Sequence, residues 1–343
     1  MSTKHLVWKS FPLASLALTL LLLLPMVASA AGPLRVGFFP NMTHAQALVG
    51  KERKIFEQKV GAIDWKSFNA GPSAMEALLA GQLDLVYVGP NPAMNAFMRS
   101  KGKSLRIIAG ASSGGAGLVV PKEAAISSAR DLKGKKVAAP EKGNTQDVAL
   151  RYWLKGQGLV VGRDLEVVST KNPDIFIFFQ QRQIAAAWVP EPWLTRLLQE
   201  ADGRILVDER KLWPGGKFPT AVLVARTEFL NANREVVRRF LAAHLDLDEW
   251  IARNPREAKA AINAQLITLT GKPLSAKLLD DAFTRVLLTH DPLPNELMIS
   301  AGRAGELGYL PKENVFPKAR MREVFDLTLL NEILKARRMP LVK

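Results

Sequence analysis

The chain has 343 residues, 47 Lys and Arg against 32 Asp and Glu, a formal charge of +15, and no cysteine. The absent thiol excludes disulfides, cysteine nucleophiles and a cysteine-linked lipid anchor, so the fold must rest on burial alone. The bases are scattered and not interleaved with aromatics, which argues against nucleic acid and leaves an anionic membrane face, the steering of a small anion or a merely solvated basic surface.

Lys4 and Lys9 flank the start of an apolar run from Leu13 to Leu24; Pro25 breaks it, and Ala28-Ser29-Ala30 supplies a small-residue cleavage site. The run is about a dozen residues, short of the roughly 20 that span a bilayer. Residues 1–30 are therefore expected to be a secretory signal peptide cleaved near Ala30. The remainder is expected to be soluble in a bacterial periplasm, not membrane-spanning, and long enough for two lobes of ordinary domain size.

Leu34-Arg35-Val36-Gly37-Phe38-Phe39-Pro40 is a short apolar run, and polar Asn41, Thr43 and His44 precede a helical pattern through Ala47, Leu48 and Val49. This predicts a strand, a loop and a helix. Trp65 to Phe68 alternates as a second strand, Gly71 to Leu79 is a helix, and Leu83 to Val88 is a buried strand stopped by Gly89-Pro90. Strands alternating with helices of this length predict βαβ units and a parallel sheet. Pro90-Asn91-Pro92 then launches a helix through Met94, Phe97 and Met98, and Leu105 to Gly110 begins another strand. Ser112-Ser113-Gly114-Gly115 is expected to loosen the chain at a crossing between lobes before Leu118-Val119-Val120 resumes it.

The second lobe opens with a strand at Lys136 to Pro140. Gly143-Asn144-Thr145-Gln146-Asp147 follows as a glycine turn into a helix through Leu154, and Leu165 to Val168 is the next strand. Asn144 or Thr145 can cap that helix, and Asp147 stands where it approximates a capping box. The helix's unsatisfied N–H groups would face outward from the strand's carboxyl end, a ready place for an anion. Gln183 to Val189 followed by Pro190-Glu191-Pro192 repeats the grammar of Gln82 to Val88 followed by Pro90-Asn91-Pro92. In each copy a buried strand with an aromatic near its end leads to a Pro-x-Pro helix start. Thr220 to Ala225 is a strand returning the chain to the first lobe, and the rest is mostly helical, including Arg234 to Arg253 with His244 near its apolar stripe. The expected division is lobe I, 34–115 plus 220–340, and lobe II, 116–219.

No P-loop, G-x-G-x-x-G, H-E-x-x-H or G-x-S-x-G signature is present, and His44, His244 and His290 have no metal-ligand spacing. The expectation is a binding protein, not an enzyme, without cofactor or metal. Polar residues gather instead at predicted carboxyl ends of strands: Thr43 and His44; Asn91; Ser112 and Ser113; Asn144, Thr145 and Gln146; Trp188 and Glu191. Neutral donors beside helix N–H groups suit a sulfonate, carboxylate or nitrate that is held and not reacted. Trp188 could pack against an apolar tail. Glu191 would repel a bound anion, so it either meets a cationic or hydroxyl end of the ligand or, the favoured expectation, faces outward and pairs with a base such as Lys142.

Several of these stretches also resemble a family, the solute-binding proteins of ABC importers for nitrate, taurine and aliphatic sulfonates. The resemblance is carried by Val36 to Pro40 with Thr43-His44-Ala45, by Ala80-Gly81-Gln82-Leu83-Asp84 with Tyr87-Val88-Gly89-Pro90, and by Ile108-Ala109-Gly110-Ala111. Most specific are Gly143-Asn144-Thr145-Gln146-Asp147-Val148-Ala149-Leu150-Arg151 and Ala187-Trp188-Val189-Pro190-Glu191-Pro192-Trp193. It implies a type II periplasmic-binding fold, two α/β lobes joined by two crossing strands around a ligand cleft, closing by a hinge. It implies a protein that delivers a small anionic solute to a membrane permease driven by an ATPase, and a monomer is expected. It also implies ligand-binding roles for Thr43, His44, Asn91, Ser112, Asn144, Thr145, Gln146, Trp188 and Glu191. Arg182-Gln183-Ile184-Ala185 departs from the Gly-Gln-Ile-Asp often found in relatives. The rival readings are a binding protein for a pyrimidine precursor of thiamine, and an enzyme built on the same fold.

Overall fold

In a computed structural model of the chain, which describes residues 1–5 and 32–343, the run at Leu34 forms β1 (Leu34–Phe38). The expected apolar run Leu13 to Leu24 and the cleavage site near Ala30 lie outside the described residues. After β1 come α1 (Ala45–Glu52), α2 (Glu57–Val60), β2 (Ile63–Ser67), α3 (Gly71–Leu79), β3 (Leu85–Val88), α4 (Pro90–Arg99) and β4 (Leu105–Gly114). A second series follows: β5 (Ala116–Pro121), β6 (Lys136–Pro140), α5 (Thr145–Gly156), β7 (Glu166–Thr170), α6 (Asn172–Gln180), β8 (Ala186–Pro190), α7 (Trp193–Glu200) and β9 (Gly203–Asp208). The chain then returns through β10 (Pro219–Arg226) to α8 (Thr227–Ala232), α9 (Arg234–Arg253), α10 (Pro255–Thr270), α11 (Ala276–Phe283), β11 (Val286–Leu288), α12 (Pro294–Glu306) and α13 (Thr328–Ala336).

Two sheets result, with strand orders β11-β4-β10-β3-β1-β2 and β7-β6-β8-β5-β9. In the first, β1 pairs in parallel with β2 and β3, and β10 runs antiparallel between β3 and β4. In the second, β6 pairs in parallel with β7 and β8, and β5 runs antiparallel between β8 and β9. The order β2-β1-β3-β10-β4 thus recurs as β7-β6-β8-β5-β9, the repeat that Tyr87 and Trp188 mark in sequence. Central strands β3 and β8 are buried along their whole length, as parallel strands covered on both faces must be. Apolar clusters lie on both faces of each sheet: Leu48, Tyr87, Leu223 and Phe240 on one face of the first and Met94, Phe97 and Val222 on the other. Leu118, Leu150 and Trp188 cover one face of the second, and Ile175, Phe179 and Trp193 the other. Each such side chain contributes roughly 1.5–3 kcal/mol by leaving water.

The chain crosses between sheets at Gly114 and Gly115, with φ of +77° and +70°. A Cβ would meet the Arg285 carbonyl oxygen at 2.7 Å from Gly114 and Val286 Cγ2 at 2.6 Å from Gly115, so these positions need glycine for handedness and for space. Two expectations need correction, and two strands were missed. Ser112 and Ser113 do not loosen the chain: they lie inside β4, paired with β10 and with β11. Neither β9 nor the short β11 was expected. The second Pro-x-Pro does not open a helix as the first does, because Pro190 ends β8 and α7 starts at Trp193, whereas α4 starts at Pro90.

Candidate functional site

The carboxyl ends of β1, β2, β3, β6, β7 and β8 converge between the sheets, the position where open α/β sheets hold ligands. A cavity of about 10 Å³, room for about one water, is lined there by Phe39, Asn41, Thr43, His44, Asn69, Gly89, Asn144, Gln146, Asn172, Pro190 and Thr220. A larger pocket of about 360 Å³ shares Asn41, Asn69 and Asn172 with it, and adds Phe176, Ile177, Trp193, Arg196, Leu269 and Lys272.

The inner cavity is built around the β6–α5 turn. Gly143 at φ +82° reverses the chain, and Asn144 has the extended backbone of an N-cap. Its side chain does not cap. Asn144 Nδ2 donates to Gln146 Oε1 at 2.9 Å, and its Oδ1 accepts from the Gly71 N–H of α3 at 3.4 Å, tying the turn to the first sheet. Asp147 does not complete the expected capping box either. Its carboxylate accepts from Gly143 N–H at 2.9 Å, Tyr309 Oη at 2.8 Å and Arg151 Nε at 2.8 Å. Consequently the N–H groups of Thr145, Gln146 and Asp147 find no acceptor among the described residues, although all three residues are buried. Thr145 Oγ1 and Asn172 Oδ1 are buried and equally unpartnered. Native proteins rarely leave such groups unpaired, and a helix N-terminus with unmet donors favours an anion.

The inner lining is electrically neutral. His44 is fully buried and its pKa is pushed down to about 3 by burial, so it remains an uncharged imidazole at neutral pH. Its Nδ1 accepts from Phe39 N–H at 3.2 Å, which leaves the proton on Nε2. Its ring stacks on Phe39 with centroids 4.5 Å apart.

Of the residues singled out in the sequence, Thr43, His44, Asn144 and Gln146 line the cavity, and Thr145 stands beside it against Gly89. The others lie elsewhere. Asn91, in the first turn of α4, accepts from Ser300 Oγ at 3.1 Å. Ser112 Oγ donates to the Thr43 carbonyl at 2.8 Å and so supports the β1 loop from behind. Trp188 faces away into the second sheet's core, where Nε1 donates to Glu209 Oε2 at 2.8 Å.

Glu191 is fully buried, not outward-facing, and its partners are not Lys142 but Thr195 Oγ1 at 2.8 Å and Arg285 Nη1 at 3.4 Å. Burial raises its pKa against the lowering effect of those partners. The lining residues missed were Phe39, Asn41, Asn69, Gly89, Asn172, Pro190 and Thr220. Asn172 had a readable signal, since it stands with Pro173 at a strand-to-helix junction equivalent to Gly71-Pro72.

The NMT1-like family matches residues 28–268. A relative from Brucella abortus (strain 2308), whose name specifies binding without a ligand, is 31% identical over 253 residues, 73% of this chain and 76% of its own. The taurine-binding periplasmic protein of Escherichia coli (strain K12) is 29% identical over 241 residues, 69% of this chain and 72% of its own. Among solved structures, the alkanesulfonate-binding protein SsuA from Xanthomonas axonopodis pv. citri, bound to MOPS, superposes with a TM-score of 0.70 at 21% identity, covering 84% of this chain and 97% of its own. That likeness carries the expected periplasmic-binding fold. A second Escherichia coli (strain K12) relative, named for binding aliphatic sulfonates, is 26% identical over 268 residues. The chain belongs to the NMT1-like family.

Proposed function

We propose that this protein is the substrate-binding component of an ABC importer, capturing a small anion in the periplasm, an aliphatic sulfonate or taurine before nitrate. The observation that carries the reading is the group of unmet donors at the start of α5: the N–H groups of residues 145–147 and Thr145 Oγ1, in a lining without charged side chains. Several directed neutral donors can each contribute a charge-assisted hydrogen bond to an oxyanion, and none is a nucleophile or base placed to react with it. In this reading residues 34–115 with 220–340 form one lobe, 116–219 form the other, and Thr43, His44, Asn144, Thr145 and Gln146 are the residues nearest the anion. The loaded monomer passes its solute to a permease and its ATPase.

The test is a thermal-shift titration of the chain beginning at Ala31 against taurine, alkanesulfonates, nitrate, bicarbonate and thiamine pyrimidines. A sulfonate or taurine is expected to raise the melting temperature in proportion to the logarithm of its concentration. Replacing Asn144→Ala and Thr145→Ala together is expected to weaken that ligand by about 1–3 kcal/mol. Stabilisation by a pyrimidine alone would overturn the reading.

A further inference from the structure

The 360 Å³ pocket that adjoins the inner cavity is built unlike a solvated rim. Its two charged lining residues are both cations, Arg196 and Lys272. Arg196 is 8% exposed, and its guanidinium lies 4.4 Å from the Phe176 ring centroid and 4.8 Å from that of Trp193. Such stacking fixes the plane of the fork, which a steering charge on a mobile surface side chain does not need. Only Nε is committed, to Glu200 Oε2 at 2.9 Å, and the terminal nitrogens have no partner among the described residues. Trp193 is itself pinned, its Nε1 donating to Asn41 Oδ1 at 3.2 Å, so the aromatic wall is continuous with the inner cavity. The volume is at the low end of the roughly 300–1,000 Å³ of small-molecule sites, enough for a single ring or a short carbon chain.

We propose that the solute carries two anionic groups, one held by the donors at the start of α5 and the other, across a short aromatic or aliphatic spacer, held by Arg196 and Lys272. This rests on the anion-binding reading of the inner cavity. The spacer packs on Phe176 and Trp193. A carboxylate or second sulfonate at its far end meets a planar guanidinium fork that suits bidentate pairing, with the Lys272 ammonium as a second, adaptable charge.

The experiment compares matched probes by calorimetric titration at about 0.15 M salt, where long-range attraction is screened: benzenesulfonate against 4-sulfobenzoate, and propanesulfonate against 3-sulfopropanoate. The second anionic group is expected to tighten binding at least tenfold in one pair. Arg196→Gln and, separately, Lys272→Gln are expected to bring that ratio toward one. Lys272 is exposed, so its variant tests the claim even if the Arg196 variant does not fold. Equal or weaker binding of both dianions while the monosulfonates bind would overturn this proposal alone, and so would a tenfold ratio that survives in the Lys272 variant or in the Arg196 variant. If none of the four compounds binds, it falls together with the reading it rests on.

Discussion

The Tyr309 hydroxyl donates to Asp147 Oδ2 at 2.8 Å, joining the segment after α12 to the first turn of α5. The same carboxylate holds Gly143 N–H, so the tyrosine acts on the turn that presents the unmet donors without lining the cavity itself. Burial, reinforced by Asp147, raises the phenol's pKa and keeps it a donor. Tyr309→Phe is expected to cost about 1 kcal/mol of stability and to weaken the anion about fivefold, since the turn loses its outside brace. Calorimetric titration checks this; unchanged affinity would show the bond to be incidental.

Gly89, the residue between β3 and α4, lies directly against Thr145. A Cβ there would lie 2.2 Å from Thr145 Oγ1, closer than real contacts allow. Gly89→Ala is expected to force the two sheets' loops apart, lowering stability by about 1–3 kcal/mol and anion affinity at least tenfold. Gly302→Ala, in α12 with nothing within 4 Å, is the matched control and is expected to stabilise by about 0.5–1 kcal/mol. Thermal unfolding of the two variants separates a site effect from a general one.

His44 contributes no positive charge to anion binding. With a folded pKa near 3 against 6.5 unfolded, the folded state binds fewer protons between those values. The stability from burying the neutral ring is present above pH 6.5 and is lost as pH falls toward 3. Ring NMR signals of His44 are expected to stay those of the Nε2–H tautomer at about pH 5. An imidazolium spectrum there would show that the site recruits a cation instead.

Glu209 gives the opposite slope. Trp188 Nε1 at 2.8 Å and Trp213 Nε1 at 3.4 Å donate to it, yet burial prevails and pushes its pKa from 4.5 up to about 7. The folded state therefore binds more protons than the unfolded one in that window. Its contribution is complete below pH 4.5 and is lost as pH rises through 7. Urea unfolding at about pH 5 and about pH 7.5 is expected to show a smaller loss of stability across the interval in Glu209→Gln than in the unmodified protein. Identical slopes would contradict the assignment.

The elements whose signals are local were legible in sequence: β1 by its apolar run, α3 by Gly71-Pro72 and its length, and α9 by a stripe running from Val237 to Ile251. The Gly143 turn was legible for the same reason. What escaped depends on distant partners. Strand β11 has three residues, too few for a period, and exists because Ser112 to Gly114 offer it an edge. Strand β8 is buried on both faces, so alternation could not say which way Trp188 points, and Glu209 captured its indole. The ion-pair partner of Glu191 lies 94 residues on at Arg285, where no local reading of the Pro-Glu-Pro stretch reaches.

The most direct test of the anion site is a crystal structure of the protein grown with ethanesulfonate, the sulfonate sulfur being located by its anomalous signal. The account predicts sulfonate oxygens accepting from Thr145 Oγ1 and from the N–H groups of residues 145–147, with Asn144 and Gln146 beside them. A sulfonate bound away from the start of α5, with those donors still unmet, would contradict it.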